Sequence, residues 1–137
     1  MSETETREGG CLCGAVRYRI EGPIQSVVHC HCQMCRRSSG APVSTWITVP
    51  VEAFKVTKGA PATYRSSDHG RRGFCPACGG QLTFFSTERP GELDVTLGTL
   101  DDPAGLTAQY HIWTSSRLPA FHIDEHVPVR KSQTESG

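Results

Sequence analysis

Seven cysteines lie in three short groups along 137 residues: Cys11-Leu-Cys13, Cys30-His-Cys32-Gln-Met-Cys35 and Cys75-Pro-Ala-Cys78. An odd number of thiols cannot all pair within one chain. The opening Met1-Ser-Glu-Thr-Glu-Thr-Arg-Glu8 has no apolar stretch of the kind a secretory signal needs. The chain is therefore expected in a reducing cytoplasm, where disulfides are rare and clustered thiols act as metal ligands. Any fold available to it has to bring these groups together in space.

Thiolates in this number favour zinc, whose structural sites are tetrahedral and closed by four protein ligands. Two thiols on one short turn are already near each other, so a four-ligand site usually joins two such pairs. Cys75-x-x-Cys78 followed by Gly79-Gly80 has the form of a zinc knuckle, with glycine allowing the tight turn. The outer pairs supply Cys11, Cys13, Cys75 and Cys78. The middle group then holds Cys30, Cys32 and Cys35, close enough to share one ion by themselves. Three ligands and a vacant fourth position is the usual arrangement of catalytic zinc. Spacing also admits another division, in which two middle thiols complete a site with an outer pair. It admits a purely structural second site too, closed by His29 or His31. Three consecutive ligands on one ion would strain the backbone at His31, and His29 reads better as packing or donating to a sulfur.

Around the middle group, Arg36-Arg37 offer two guanidinium groups. They can offset the net −1 of a zinc held by three thiolates, or grip a substrate carboxylate; a solvated basic pair is the plainer alternative. Trp46, Trp113 and Phe121 are candidate pocket walls or simply core. His111 is a candidate proton carrier or a satisfied structural histidine. The sequence offers no nucleophile–base arrangement and no phosphate-binding glycine loop. Any chemistry must centre on the metal, which as a soft Lewis acid binds and deprotonates a thiol.

Elsewhere the chain reads as β. Val16, Tyr18 and Ile20 alternate with polar residues up to Glu21-Gly22-Pro23. Further strands are expected over Ser26–Cys30, Val43–Val49, Phe54–Lys58, Ala62–Ser66, Gly73–Phe74, Gln81–Ser86, Leu93–Leu100 and Ala108–Trp113. One helical turn is expected over Gln33–Ser39. With 14 Gly and 9 Pro breaking short apolar runs, the fold class is mostly β, a single domain of small antiparallel sheets stapled by zinc. Residues 1–8 read as a flexible arm, 9–129 as the domain and 130–137 as a flexible tail. Equal numbers of basic and acidic residues, 14 each, argue against nucleic acid as a partner. No apolar run is long enough for a membrane span. A monomer or weak homodimer is expected.

The stretches Gly10-Cys-Leu-Cys-Gly-Ala-Val-Arg-Tyr18, Cys30-His-Cys-Gln-Met-Cys-Arg-Arg37 and Phe74-Cys-Pro-Ala-Cys-Gly79 closely resemble the glutathione-dependent formaldehyde-activating enzyme family, also called the centromere protein V family. The resemblance runs from about Gly9 to Pro128. It implies a β-tent architecture and two zinc ions, a structural one on Cys11, Cys13, Cys75 and Cys78 and a catalytic one on Cys30, Cys32 and Cys35. It also implies a carbon–sulfur lyase that condenses formaldehyde with glutathione as co-substrate to give S-hydroxymethylglutathione. Ser115-Ser-Arg-Leu-Pro-Ala-Phe121 resembles the family's Ser-Lys-Ala-Pro-Trp stretch without its tryptophan. Against the enzyme stands a non-catalytic zinc module that binds a partner protein or carries metal.

Overall fold

The computed structural model describes residues 5–124 and 126–132. In chain order the strands are β1 (Thr6–Gly10), β2 (Arg17–Glu21), β3 (Ser26–Cys30), β4 (Ser44–Pro50) and β5 (Phe54–Lys58), with α1 (Gln33–Ser39) between β3 and β4. Then follow β6 (Ala62–Arg65), β7 (Gly70–Phe74), β8 (Gln81–Ser86), β9 (Glu92–Thr96) and β10 (Tyr110–Ile112). They form a three-stranded sheet, β1-β2-β5, and a seven-stranded sheet, β10-β3-β4-β9-β8-β7-β6. Pairing is antiparallel throughout except for β10, which runs parallel to β3.

Side-chain alternation sets the inner face of the small sheet: Tyr18 and Ile20 of β2 are fully buried, while Arg17 and Arg19, which alternate with them, are not. On β4 the run Trp46, Ile47, Thr48 and Val49 is buried without alternation, as expected for a central strand flanked by β3 and β9 and covered on both faces. The main core joins Tyr18, Ile20, Val27, Ile47, Val49, Leu82 and Val95, with Cys11 and Cys75 at its margin. A second, smaller cluster gathers Val28, Cys30, Cys35, Trp46 and Ile112. Each cysteine group thus borders its own apolar cluster.

Where the structure departs from expectation, backbone pairing has overridden side-chain pattern. β1 takes in Thr6, Arg7 and Glu8, which composition placed in the flexible arm, because this segment pairs residue for residue with β2. Gly9 lies so close to the Tyr18 ring and the Thr99 carbonyl that a Cβ there would clash with both. β7 begins at Gly70 rather than Gly73, and β9 ends at Thr96, where Leu97–Thr99 turns into a 3-10 helix. At the start of the expected tail, the Arg130 N–H donates to the His111 carbonyl and its guanidinium lies 3.9 Å from the centre of the Tyr110 ring. The rest of the expected arm and tail, residues 1–4 and 133–137, lies outside the described residues.

Candidate metal centres

The first centre forms where two turns meet. Cys11 follows β1, and Cys75 follows β7. In each turn a glycine just after the second cysteine takes a left-handed backbone: Gly14 at φ 78° and Gly79 at φ 78°. The Gly14 N–H donates back to the Cys11 carbonyl at 3.2 Å, and the Gly79 N–H to the Cys75 carbonyl at 2.8 Å. The Sγ atoms of Cys11, Cys13, Cys75 and Cys78 all lie within 4.8 Å of one another. Tetrahedral sulfurs about 2.3 Å from one ion stand about 3.8 Å apart. Cys11 Sγ and Cys13 Sγ are 3.7 Å apart, and Cys13 Sγ and Cys75 Sγ 3.8 Å, so the donor set fits one tetrahedral thiophilic ion. Cys75 is buried and Cys13 exposed, which places the cluster at the surface. The Val16 N–H donates to Cys11 Sγ at 3.3 Å, and chiefly for that reason the Cys11 thiol is lowered to about 6. The Cys78 N–H donates to Cys75 Sγ.

The second centre forms where β3 runs into α1. Cys30 ends β3, Cys32 caps the N-terminus of α1, and Cys35 sits in its first turn. The Cys35 N–H donates to Cys32 Sγ at 3.2 Å. Gly40, at φ 74°, ends the helix and lets the chain return into β4. The three Sγ atoms lie within 4.8 Å of one another, with Cys30 and Cys35 buried and Cys32 half-buried. Hydrogen bonding from Cys30 and then Cys35 holds the Cys32 thiol far below its usual range, and the same bond to Cys32 pushes Cys30 up. Neither His29 nor His31 belongs to this set of converging ligand atoms. His29 Nδ1 pairs with Thr45 Oγ1 at 2.8 Å rather than with a sulfur. The fully buried His31 pairs through Nε2 with His111 Nδ1 at 2.7 Å. Burial lowers all three imidazoles, His31 to about 4.

The structure brings some of the remaining sequence candidates to the trio. Trp46 is buried in the cluster that contains Cys30 and Cys35, with its ring 6.3 Å from that of Phe84. His111 reaches the trio's neighbourhood through His31, on which Phe121 packs edge-on at 5.3 Å. Arg36 is half-buried and Arg37 exposed on α1, and among the described residues neither guanidinium makes a hydrogen bond or ion pair. Trp113 is 37% exposed and left-handed, at φ 59°, and belongs to neither apolar cluster. A cavity of about 420 Å³ lies beyond it, lined by Thr114, Arg117, His122, Ile123 and Val129.

Sequence reasoning missed the cation that touches a sulfur. Arg72 on β7 is 6% exposed, and its Nη2 donates to Cys35 Sγ at 3.6 Å. Its Nη1 donates to Ser38 Oγ at 3.3 Å, and the guanidinium lies 4.8 Å from the centre of the Phe84 ring. The one available signal was its place on the strand that runs into Cys75, three residues on. In Gly70-Arg-Arg-Gly73 no apolar alternation marks that strand.

A small β domain with two cysteine clusters, one of four ligand atoms and one of three, has the donor sets of a thiolate metal protein. The chain belongs to the family of the glutathione-dependent formaldehyde-activating enzyme, whose model matches residues 6–116. A crystal structure of a Rhodobacter sphaeroides protein shares the fold, with a TM-score of 0.58 and 24% identity over 73% of this chain and 90% of that one. The family description carries formaldehyde activation and glutathione with it. Among the described residues, no helix is long and apolar enough to cross a membrane.

Proposed function

We propose that this protein is a zinc-dependent carbon–sulfur lyase-like enzyme. It binds glutathione or a similar thiol at the three-cysteine centre and adds it to, or releases it from, formaldehyde or another small electrophile. The observation that carries this reading is the ligand count: three converging sulfurs and, among the described residues, no fourth side-chain ligand atom with them. The family description supports both reactants. Zinc, when bound, supplies a Lewis acid that favours the thiolate form of an incoming thiol.

The chain's own residues set the conditions for that step. Cys30, Cys32 and Cys35 hold the ion and leave one direction free. Arg36 and Arg37 lie beside Cys35 with unpaired guanidinium groups suited to the carboxylates of a peptide thiol. Trp46 packs with Cys30 and Cys35 in one apolar cluster, and the His31–His111 hydrogen bond holds the chain between the ligands Cys30 and Cys32 in place. The Cys11, Cys13, Cys75 and Cys78 centre holds a structural zinc. Seven free thiols fit a reducing compartment such as the cytoplasm.

Exchange NMR with formaldehyde and glutathione tests this reading. Zinc-loaded protein is expected to accelerate hemithioacetal exchange, and Cys32→Ser to abolish the acceleration. An exchange rate equal to the uncatalysed one, with glutathione and with other cellular thiols, favours the non-catalytic metal module, which the burial of Cys30 and Cys35 would also suit.

A further inference from the structure

Arg72 is a buried cation with no carboxylate partner among the described residues, and its Nε is buried without a hydrogen-bond partner. A charge taken out of water needs a counter-charge near it. What Arg72 touches is Cys35 Sγ at 3.6 Å, Ser38 Oγ at 3.3 Å and the face of Phe84. Of these, the sulfur alone can carry negative charge.

Charge counting on the two centres shows why one of them needs this and the other does not. Four thiolates around a divalent ion carry net −2. At the first centre water reaches the exposed Cys13, and the Val16 and Cys78 N–H groups donate to sulfur. Three thiolates around a divalent ion carry net −1, and a thiolate guest would bring that to −2 at a site where Cys30 and Cys35 are 4% and 5% exposed. The Cys35 N–H donates to Cys32 Sγ, but no lysine and no other arginine donates to these sulfurs among the described residues. Phe84 and Ser38 hold the Arg72 guanidinium in place, so its orientation does not depend on the guest.

We propose that Arg72 is the fixed counter-charge of the three-cysteine centre: it lets three thiolates share one ion and makes the vacant position selective for an anionic sulfur guest. The second half of this rests on the open-site reading given under Proposed function; the first half does not. Arg72 is a positioning residue, acting on the guest through Cys35 and the ion rather than by contact. Because β7 runs from Arg72 directly into Cys75, one strand sets the charge at one centre and supplies a ligand to the other.

The test compares wild type, R72M and R72K in two titrations. In the first, zinc affinity is measured by competition with a chromophoric chelator. R72M keeps the bulk against Phe84 but loses the charge, and is expected to weaken the second zinc by roughly 10- to 100-fold with the first zinc retained. R72K is expected to recover most of that loss. In the second, glutathione is added to the cobalt(II)-substituted protein and the visible absorption is followed. R72M is expected to weaken glutathione binding by at least about tenfold. Zinc and glutathione affinities in R72M equal to wild type would overturn the proposal, as would an R72K no better than R72M. If R72M cannot retain even the first zinc, R72K decides: near-wild-type second-site affinity supports the counter-charge, and a loss as complete as that of Cys35→Ser overturns it. A wild-type cobalt spectrum unmoved by glutathione would refute the open-site reading and with it the guest-selecting half, leaving the zinc titration to judge the rest.

Discussion

The four sulfurs of Cys11, Cys13, Cys75 and Cys78 sit where two glycine-ended turns meet at the surface, and their charge is met by backbone N–H groups and water. The three sulfurs of Cys30, Cys32 and Cys35 sit mostly buried between a strand end and a short helix, and their charge is met by one buried guanidinium and the Cys35 N–H. An ion on the first arrangement would tie residues more than 60 positions apart and staple the small sheet to the end of β7. The second draws all its ligands from six consecutive positions that β3 and α1 already hold together, so a metal there adds little constraint to the chain. Four converging sulfurs complete a tetrahedral ligand set, and three leave a fourth position for another ligand.

The largest expected effect separates them by mutation. Cys75→Ser should remove the staple and most of the folded state, because a structural zinc contributes about 10 kcal/mol or more, comparable to the whole stability of a domain this size. Cys32→Ser should lose one zinc and stay folded. Elemental analysis with thermal melts reads both, and equal collapse of the two variants would erase the distinction.

Next in size is the histidine pair beside the second cluster. His31→Ala leaves His111 Nδ1 without its partner and opens a cavity, for an expected cost of roughly 2–3 kcal/mol. Both zinc ions should remain, since His31 is not among the converging ligands; loss of the second zinc in denaturant-stable protein would show that it is one.

How far the molecule could be read from its sequence divides along the same line. Strands with apolar alternation or β-branched runs were legible to the residue: Ser26–Cys30, Phe54–Lys58 and Gln81–Ser86 fall where expected, and so does α1 over Gln33–Ser39. The division of the seven cysteines into four and three was legible because each short turn preassembles its own sulfurs. Features made by long-range pairing were not. β1 has no apolar pattern and exists through its ladder with β2. The parallel seat of β10 on β3 brings His111 to His31 across 80 positions, and no local periodicity encodes that. Arg72 lies 37 positions from Cys35, on a strand without an apolar signature, whereas Arg36 and Arg37 follow Cys35 directly and are visible in the sequence as its neighbours.

A smaller effect sharpens the account of the first cluster. Gly79→Ala meets no atom within 4 Å, so its cost is that of a left-handed backbone at φ 78°, about 1 kcal/mol. A denaturant melt should show that loss with zinc content unchanged. A loss several times larger would mean that the turn, and not the thiolates, limits the staple.

The smallest effect is a control beside the same cluster. Arg17, one residue past Val16, forms an exposed bidentate ion pair with Asp101, whose carboxyl is lowered by that hydrogen bond. A carboxyl with a lowered folded pKa adds stability above its unfolded value and loses it as pH falls through the folded one. Asp101→Asn should therefore show a slight deficit at neutral pH that vanishes in acid. A deficit that persists there would place the effect in packing instead of charge.

The division of labour between the clusters is tested most directly by X-ray absorption at the zinc edge of the fully loaded protein, before and after excess glutathione. With four sulfurs at one ion and three at the other, the mean should be about 3.5 sulfurs per zinc without thiol, rising to about 4 with it. A mean of 4 without added thiol, or one that glutathione leaves unchanged, would contradict an open second centre.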